Sequence, residues 1–420
     1  MLPYLSFDLI INATSYIKGR KEKTKEKEKK MSTYTVTHLE SGGTFTRPAI
    51  LSNPVYGLGD PPTYLAEDPA ITPFHQQLPD YAETKLHTLP SLAQELGFSH
   101  VFLKDESTRF GLPSFKIAGA SWAVHRAVCQ RIGLPPSTSL SELKQTLTAR
   151  PADQINLVAC TDGNWGRAVA RMCRILDVGV TIYVPAFMNA YTQGKIRDEG
   201  AEVIVVSEGS YDDAISTVQE QARETGALLV MDTSWPGYEE VPVWVTQGYL
   251  PLLTETDRQV AAATNGKAAD LVLGSTGVGS WMHAVTSHYA TASPSTKVIT
   301  VEPDIAASFK ESLHCGDITP IKTGDTIMCG MNCGTTSTIA WPVLRSGIHT
   351  AATVTDRESH ESVEYLKAVG IDAGPCGAAS IAALKKICHA GLAGTVDERK
   401  EKVVVLFSTE GNREYEVPKA

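Results

Sequence analysis

Apolar residues fall along this chain in short runs, with longer stretches between them in which they recur every three or four positions. The runs are Val101–Leu103, Asn156–Ala159, Thr181–Val184, Val203–Val206, Leu228–Met231, Leu271–Leu273, Lys297–Val301 and Val403–Phe407. Most are continuous rather than alternating, as expected of parallel strands covered on both faces. Between them Ala120, Val124, Ala127 and Val128 fall on one helical stripe, and Val169, Met172 and Leu176 on another. Alternation of this type predicts an α/β fold with parallel sheets and right-handed crossovers. No internal repeat interrupts the pattern, and Ser52 to Pro79, rich in Pro, Asp, Thr and Tyr, reads as an irregular surface segment.

The first thirty residues break the pattern. Met1 to Ile17 is mildly apolar, and Lys18 to Lys30 is almost wholly Lys, Glu, Arg and Thr. A signal peptide carries its positive charge before the apolar stretch, whereas here it follows. Residues 1–30 are therefore read as a disordered, charged tail with no assigned function.

Four loops at the predicted strand ends carry chemistry. In the first, Leu103 to Lys116, a polar, turn-rich segment places Lys116 behind Phe115 at the start of an apolar-striped helix. The helix dipole and apolar neighbours both favour the neutral amine there, the form that condenses with an aldehyde. Read alone, the signal is weak, because most lysines near a helix start are merely solvated. The second, Cys160 to Arg167, holds Asp162, Gly163, Asn164 and Gly166 and suits either an anion or a helix-capping turn. The third, Leu273 to Ser280, is a Gly-rich turn before an apolar helix. It lacks the Lys-Ser/Thr ending of a nucleotide loop and is not a full dinucleotide fingerprint, which leaves phosphate binding or a structural turn. The fourth, Leu406 to Asn412, follows the last strand. Ligands of open parallel sheets bind beyond the carboxyl ends of the strands, so four such loops can converge on one molecule.

Composition narrows the class. The 420 residues are 42% hydrophobic and 20% charged, which is ordinary for a globular protein of one large α/β unit or two domains. A formal net charge of −9 gives no reason to expect nucleic acid or an anionic membrane face as partner. No apolar run reaches the roughly 18 residues of a spanning helix. Eight cysteines are scattered, and although Cys329 and Cys333 are close, no second pair with zinc spacing follows. They are read as reduced thiols of a cytoplasmic protein, with no metal site.

Together the four segments resemble the fold type II family of pyridoxal-phosphate (PLP) enzymes. That superfamily includes tryptophan synthase β, serine and threonine dehydratases and cysteine synthase. The likeness is strongest to its diaminopropionate ammonia-lyases. It rests on Lys104 to Leu112, Thr161 to Asn164, Asp232 to Tyr238, Thr246 to Tyr249, Gly277 to Gly279, Val301 to Asp304, Thr326 to Gly334 and Ser408 to Gly411. These occur in family order over roughly residues 80–412.

The resemblance implies two doubly wound parallel-sheet domains with the cofactor in the cleft between them. Residues 31–118 and 248–420 would form the large domain and 119–247 a small inserted one. Lys116 would hold PLP as a Schiff base and move the α-proton, with Phe115 beside the cofactor. Asn164 would hold its phenolic oxygen, Gly277, Val278, Gly279 and Ser280 its phosphate, and Ser408 its ring nitrogen. A neutral hydroxyl there moderates the electron sink and suits elimination over transamination. Thr161 would bind the substrate carboxylate, Asp162 would serve as base on a D-substrate, and Asp232 would face the β-amino group. A homodimer acting on a small amino acid is the expected assembly.

Three departures gather around the expected substrate. Trp165 replaces a family His, Ser114 stands where the lyases often carry Ala, and Thr84-Lys85-Leu86 replaces Thr-Pro-Leu. The leading expectation is elimination of ammonia from 2,3-diaminopropionate. Asp162 and Asp232 favour it, because an acidic pair suits a cationic β-amine. Trp165 and Ser114 favour a dehydratase or another β-eliminating or β-replacing enzyme. A PLP-binding protein without turnover is opposed by the retained Lys116 and Asp162.

Overall fold

The computed structural model describes residues 32–59, 62–150, 155–161, 163–186, 188–206 and 211–419. The charged tail lies outside them. The strands are β1 (Thr33–Thr37), β2 (Thr44–Pro48), β3 (Ile50–Ser52), β4 (Lys85–Thr88), β5 (His100–Asp105), β6 (Asn156–Cys160), β7 (Gly179–Pro185), β8 (Glu202–Val206), β9 (Leu228–Leu229), β10 (Leu271–Ser275), β11 (Lys297–Pro303), β12 (Ile348–Val354) and β13 (Val403–Ser408). Five helices position the site: α1 (Lys116–Ile132), α2 (Asn164–Leu176), α3 (Glu240–Ala263), α4 (Ser280–Ala292) and α5 (Pro375–His389).

A seven-stranded sheet runs in the order β3-β12-β11-β10-β13-β5-β4. Its five central strands are parallel, and β3 and β4 pair antiparallel at its edges. A four-stranded sheet, β8-β7-β6-β9, is parallel throughout. It is built from the chain between residues 156 and 229, while the larger sheet draws on segments before and after it. The strands β1 and β2 form a separate antiparallel ribbon.

All eight apolar runs lie at strands, although β9 keeps only Leu228 and Leu229 of its run. Their continuity has the expected cause, since both faces of the large sheet are covered. Phe102, Val405 and Phe407 face a core shared with α1, α2 and the small sheet. Val101, Leu103, Val404 and Leu406, one residue out of step, face a second core built with α5. The edge strands β3 and β4 and the strand β12 were not among the sequence expectations. The stretch from Ser52 to Pro79 also holds a short helix, Ile71–His75, whose buried Ile71, Phe74 and His75 anchor it. The helix α1 packs against both α2 and α3, which ties the two sheets together.

Candidate active site

Lys116 is the first residue of α1, and Phe115 precedes it as N-cap. The chain arrives there from β5 through Arg109 to Gly111, a tight turn in which Phe110 adopts φ 47°. Across from Lys116 stands Asp232, just beyond β9, with Oδ2 2.5 Å from the Lys116 Nζ. The Asp232 side chain is only 4% exposed. Its segment is tied to the far side of the cleft through Ser234, whose backbone N–H donates to the Ser337 hydroxyl at 3.1 Å. The Ser234 hydroxyl also lies 2.8 Å from that of Thr338.

The cleft is lined by Ser114, Phe115, Lys116, Asn164, Trp165, Asp232, Gly277 to Met282, Met331, Cys333, Cys376, Thr409 and Glu410. Beneath Lys116 lies an aromatic floor, with the Phe115 ring 4.9 Å from Tyr249 and 4.8 Å from Trp281. Burial, opposed by the Lys116 charge and aided by that of Asp232, pushes the Tyr249 hydroxyl far above its usual range and keeps it neutral. The indole of Trp165 lies 5.8 Å from the Lys116 Nζ, and its N–H donates to the Val230 carbonyl at 3.1 Å.

At the opposite wall, Gly277 to Ser280 lead from β10 into α4. A Cβ on Gly277 would lie 3.1 Å from both the Cys333 Sγ and the Gly330 carbonyl, and Gly279 takes φ 102°. The first-turn N–H groups of α4 have no carbonyl partner within the helix, which suits a phosphate. The Val278 carbonyl is held by the Ser337 N–H at 2.8 Å, so the loop is braced from behind.

Ser408 ends β13, wholly buried, and its hydroxyl has no hydrogen-bond partner. A buried hydroxyl left unpaired costs about 1–3 kcal/mol, a cost that a ring nitrogen placed there would remove. A Cβ at Gly377 would lie 2.5 Å from that oxygen, so glycine is needed beside it. A lysine, an amide donor and a glycine-lined helix start around one cleft, with an orphaned hydroxyl one residue from its lining, fit PLP.

Among the described residues, Thr161 and Ser408 are expected site residues that do not form part of this lining. The Thr161 hydroxyl accepts the backbone N–H groups of Gly163 and Gly166, both at 2.9 Å, and so closes its own loop. Asp162 lies outside the described residues. The sequence reading did not single out Tyr249, Trp281, Met331, Cys333, Cys376 or Glu410 as site residues. Glu410 sits in the loop flagged after the last strand, whereas Tyr249 and Trp281 look like ordinary helix core. Burial, followed by the Glu410 charge, raises the Cys376 thiol well above its ordinary value.

The family described as pyridoxal-phosphate dependent enzyme matches residues 78–409. The chain is 32% identical over 358 residues to a diaminopropionate ammonia-lyase of Salmonella typhimurium, covering 81% of this chain and 88% of that one. Identity to the Escherichia coli lyase is 31% over 353 residues, covering 81% and 87%. The crystal structure of the E. coli lyase with D-serine superposes with a TM-score of 0.77 at 28% identity, covering 90% of this chain and 95% of that one. The same lyase with an aminoacrylate-PLP azomethine reaction intermediate gives 0.75 at 28% identity, with the same coverage.

Proposed function

The chain belongs to the pyridoxal-phosphate dependent enzyme family, and on that premise we propose that it is an ammonia-lyase acting on 2,3-diaminopropionate. The observation that carries this reading is the Lys116–Asp232 pair set in the wall of the cleft. The similarity to diaminopropionate ammonia-lyases over most of both chains supports it.

Bound PLP supplies the electron sink that acidifies the α-carbon of an amino acid. Lys116 is the residue proposed to hold it and to take the α-proton. Asp232, 2.5 Å from the Lys116 Nζ, steadies the ammonium formed when that proton arrives. As the C–H electrons form the new double bond, the β C–N bond breaks and its pair leaves on nitrogen. Because that group is a β-ammonium with three hydrogens, it departs with the pair as ammonia. Water then converts the remaining aminoacrylate to pyruvate and a second ammonia. Asn164, Gly277 to Ser280 and Ser408 are the proposed cofactor contacts. Thr161 and Asp162 keep their proposed roles in carboxylate binding and as the base for a D-substrate, on the strength of the family resemblance.

The proposed domains remain 31–118 with 248–420, and 119–247. The proposed assembly is a homodimer in the cytoplasm. None of the eight cysteines is in a disulfide, which suits a reducing compartment, and no helix among the described residues is long and apolar enough to cross a membrane.

A second reading, elimination of water from serine or threonine, is favoured by Trp165, whose buried indole takes space at Lys116. Assaying ammonia and keto acid over D- and L-amino acids separates the two. The diamine is expected to give ammonia and pyruvate in a two-to-one ratio and to turn over fastest. A hydroxy amino acid turned over faster, at one-to-one, would displace the lyase reading.

A further inference from the structure

Glu410 has no part in the function described above, yet it is only 3% exposed and lines the cleft. Each of its two carboxylate oxygens accepts a hydrogen bond from an N–H group. Oε2 takes the Asn164 side-chain N–H at 2.9 Å, and Oε1 takes the backbone N–H of Cys376, at the start of α5, at 3.1 Å. Its own backbone is fixed, since its carbonyl accepts the Gly374 N–H at 3.1 Å and it bridges to Ser114. A Cβ at Gly374 would come within 2.8 Å of Oε1, so glycine leaves the room that this carboxylate fills.

We propose that Glu410 is a positioning residue whose carboxylate sets which end of the Asn164 amide is offered to the cofactor. An ionised carboxylate only accepts hydrogen bonds, whereas an asparagine amide has a donor end and an acceptor end. Turning the Asn164 amide over would set its carbonyl oxygen against Glu410 Oε2, two acceptors facing each other. The Nδ2 is therefore held in place, and its second hydrogen remains for the cofactor's ring oxygen. Glutamine cannot replace Glu410 in this role. It has one acceptor oxygen for two donors, Asn164 and Cys376. If that oxygen stays with the Cys376 N–H, its own NH₂ faces Asn164 and favours the reversed amide.

The proposal rests on reading the cleft as a PLP site, and a double-mutant cycle on the holoenzyme keeps the two questions apart. Wild type, Glu410→Gln, Asn164→Ala and the double variant are compared by PLP dissociation constant and by the pH midpoint of the visible cofactor band. Glu410→Gln is expected to weaken PLP binding about tenfold, the worth of one hydrogen bond of ordinary strength. In the Asn164→Ala background the same change is expected to have less than about a twofold effect, and to leave the band's midpoint unmoved. Equal effects in both backgrounds, or none in either, would overturn the proposal. Should Glu410→Gln fail to fold, Glu410→Asp, which keeps the charge but withdraws both oxygens, enters the same cycle with the same criteria. A wild-type protein with no visible band after PLP addition would instead overturn the reading of the cleft, and this proposal with it.

Discussion

Trp165 stands where the loops it resembles carry histidine, and its surroundings give it two tasks. Its N–H bond to the Val230 carbonyl ties the start of α2 to the segment that carries Asp232. Its ring face lies 5.8 Å from the Lys116 Nζ and, with Asp232, stands in place of the purely apolar neighbours expected from the sequence. The lysine is thus set between an anion and an aromatic face, surroundings suited to a group that receives a proton and later returns it. Lys116→Ala removes the covalent anchor and the proton carrier together. Its turnover is expected to fall by about a thousandfold or more, at or above the middle of the roughly 10²–10⁴-fold range for one general base. Borohydride reduction followed by peptide mapping is expected to find the cofactor on Lys116. A label on another lysine would refute the assignment.

The segment between β5 and α1 shows how an element is held where a site needs it. Lys104, which follows the apolar run of β5, is wholly buried, and its Nζ reaches Glu255 of α3, Gln259 and the Thr84 carbonyl. Arg109 makes two 2.7 Å bonds to Glu106 and two more to Glu255, at 2.9 and 3.0 Å. Burial works against the charge on Glu255, but Arg109 and Lys104 outweigh it and hold its carboxyl below its usual range. This network fastens the turn through Phe110 to α3, and with it the approach to Lys116. Glu255→Gln leaves two buried cations short of a counter-charge. Chemical denaturation is expected to show a loss of about 3 kcal/mol or more, the usual cost of breaking a buried ion pair from one side. A loss below about 1 kcal/mol, as for an exposed pair, would show that the network does not brace the fold.

For the whole molecule, buried histidines contribute to the response to acid. Burial, aided by the Arg109 charge and opposed by the bond to the Ala118 carbonyl, lowers His75 from 6.5 to about 3. Burial likewise lowers His125, His283 and His349, each to about 4. A histidine depressed in the folded state contributes stability that is complete above its unfolded value of 6.5. That contribution drains away as pH falls toward the folded value. By pH 5, His75 alone is expected to have lost about 2 kcal/mol. Unfolding free energies of wild type and His75→Gln at pH 7 and pH 5 test this, with the variant expected to lose about 2 kcal/mol less between them. Parallel losses would mean that His75 titrates as an exposed residue does.

The α/β class, eight of the strands and four of the segments around the cleft are legible in the sequence alone. Continuous apolar runs, helical stripes and glycine turns are written in neighbouring residues, and local backbone and burial preferences read them directly. The segments that hold Lys116, Asn164, Gly277 and Ser408 stand out for that reason, while the roles proposed for those residues come from the family resemblance. What meets what across the cleft was decided only by the tertiary structure. Asp232 lies 116 residues from Lys116, and Glu410 lies 246 from Asn164. The last strand, β13, inserts between β10 and β5. That strand order brings a carboxylate from the end of the chain onto an amide from its middle, and no local pattern encodes a contact that depends on where a distant strand docks.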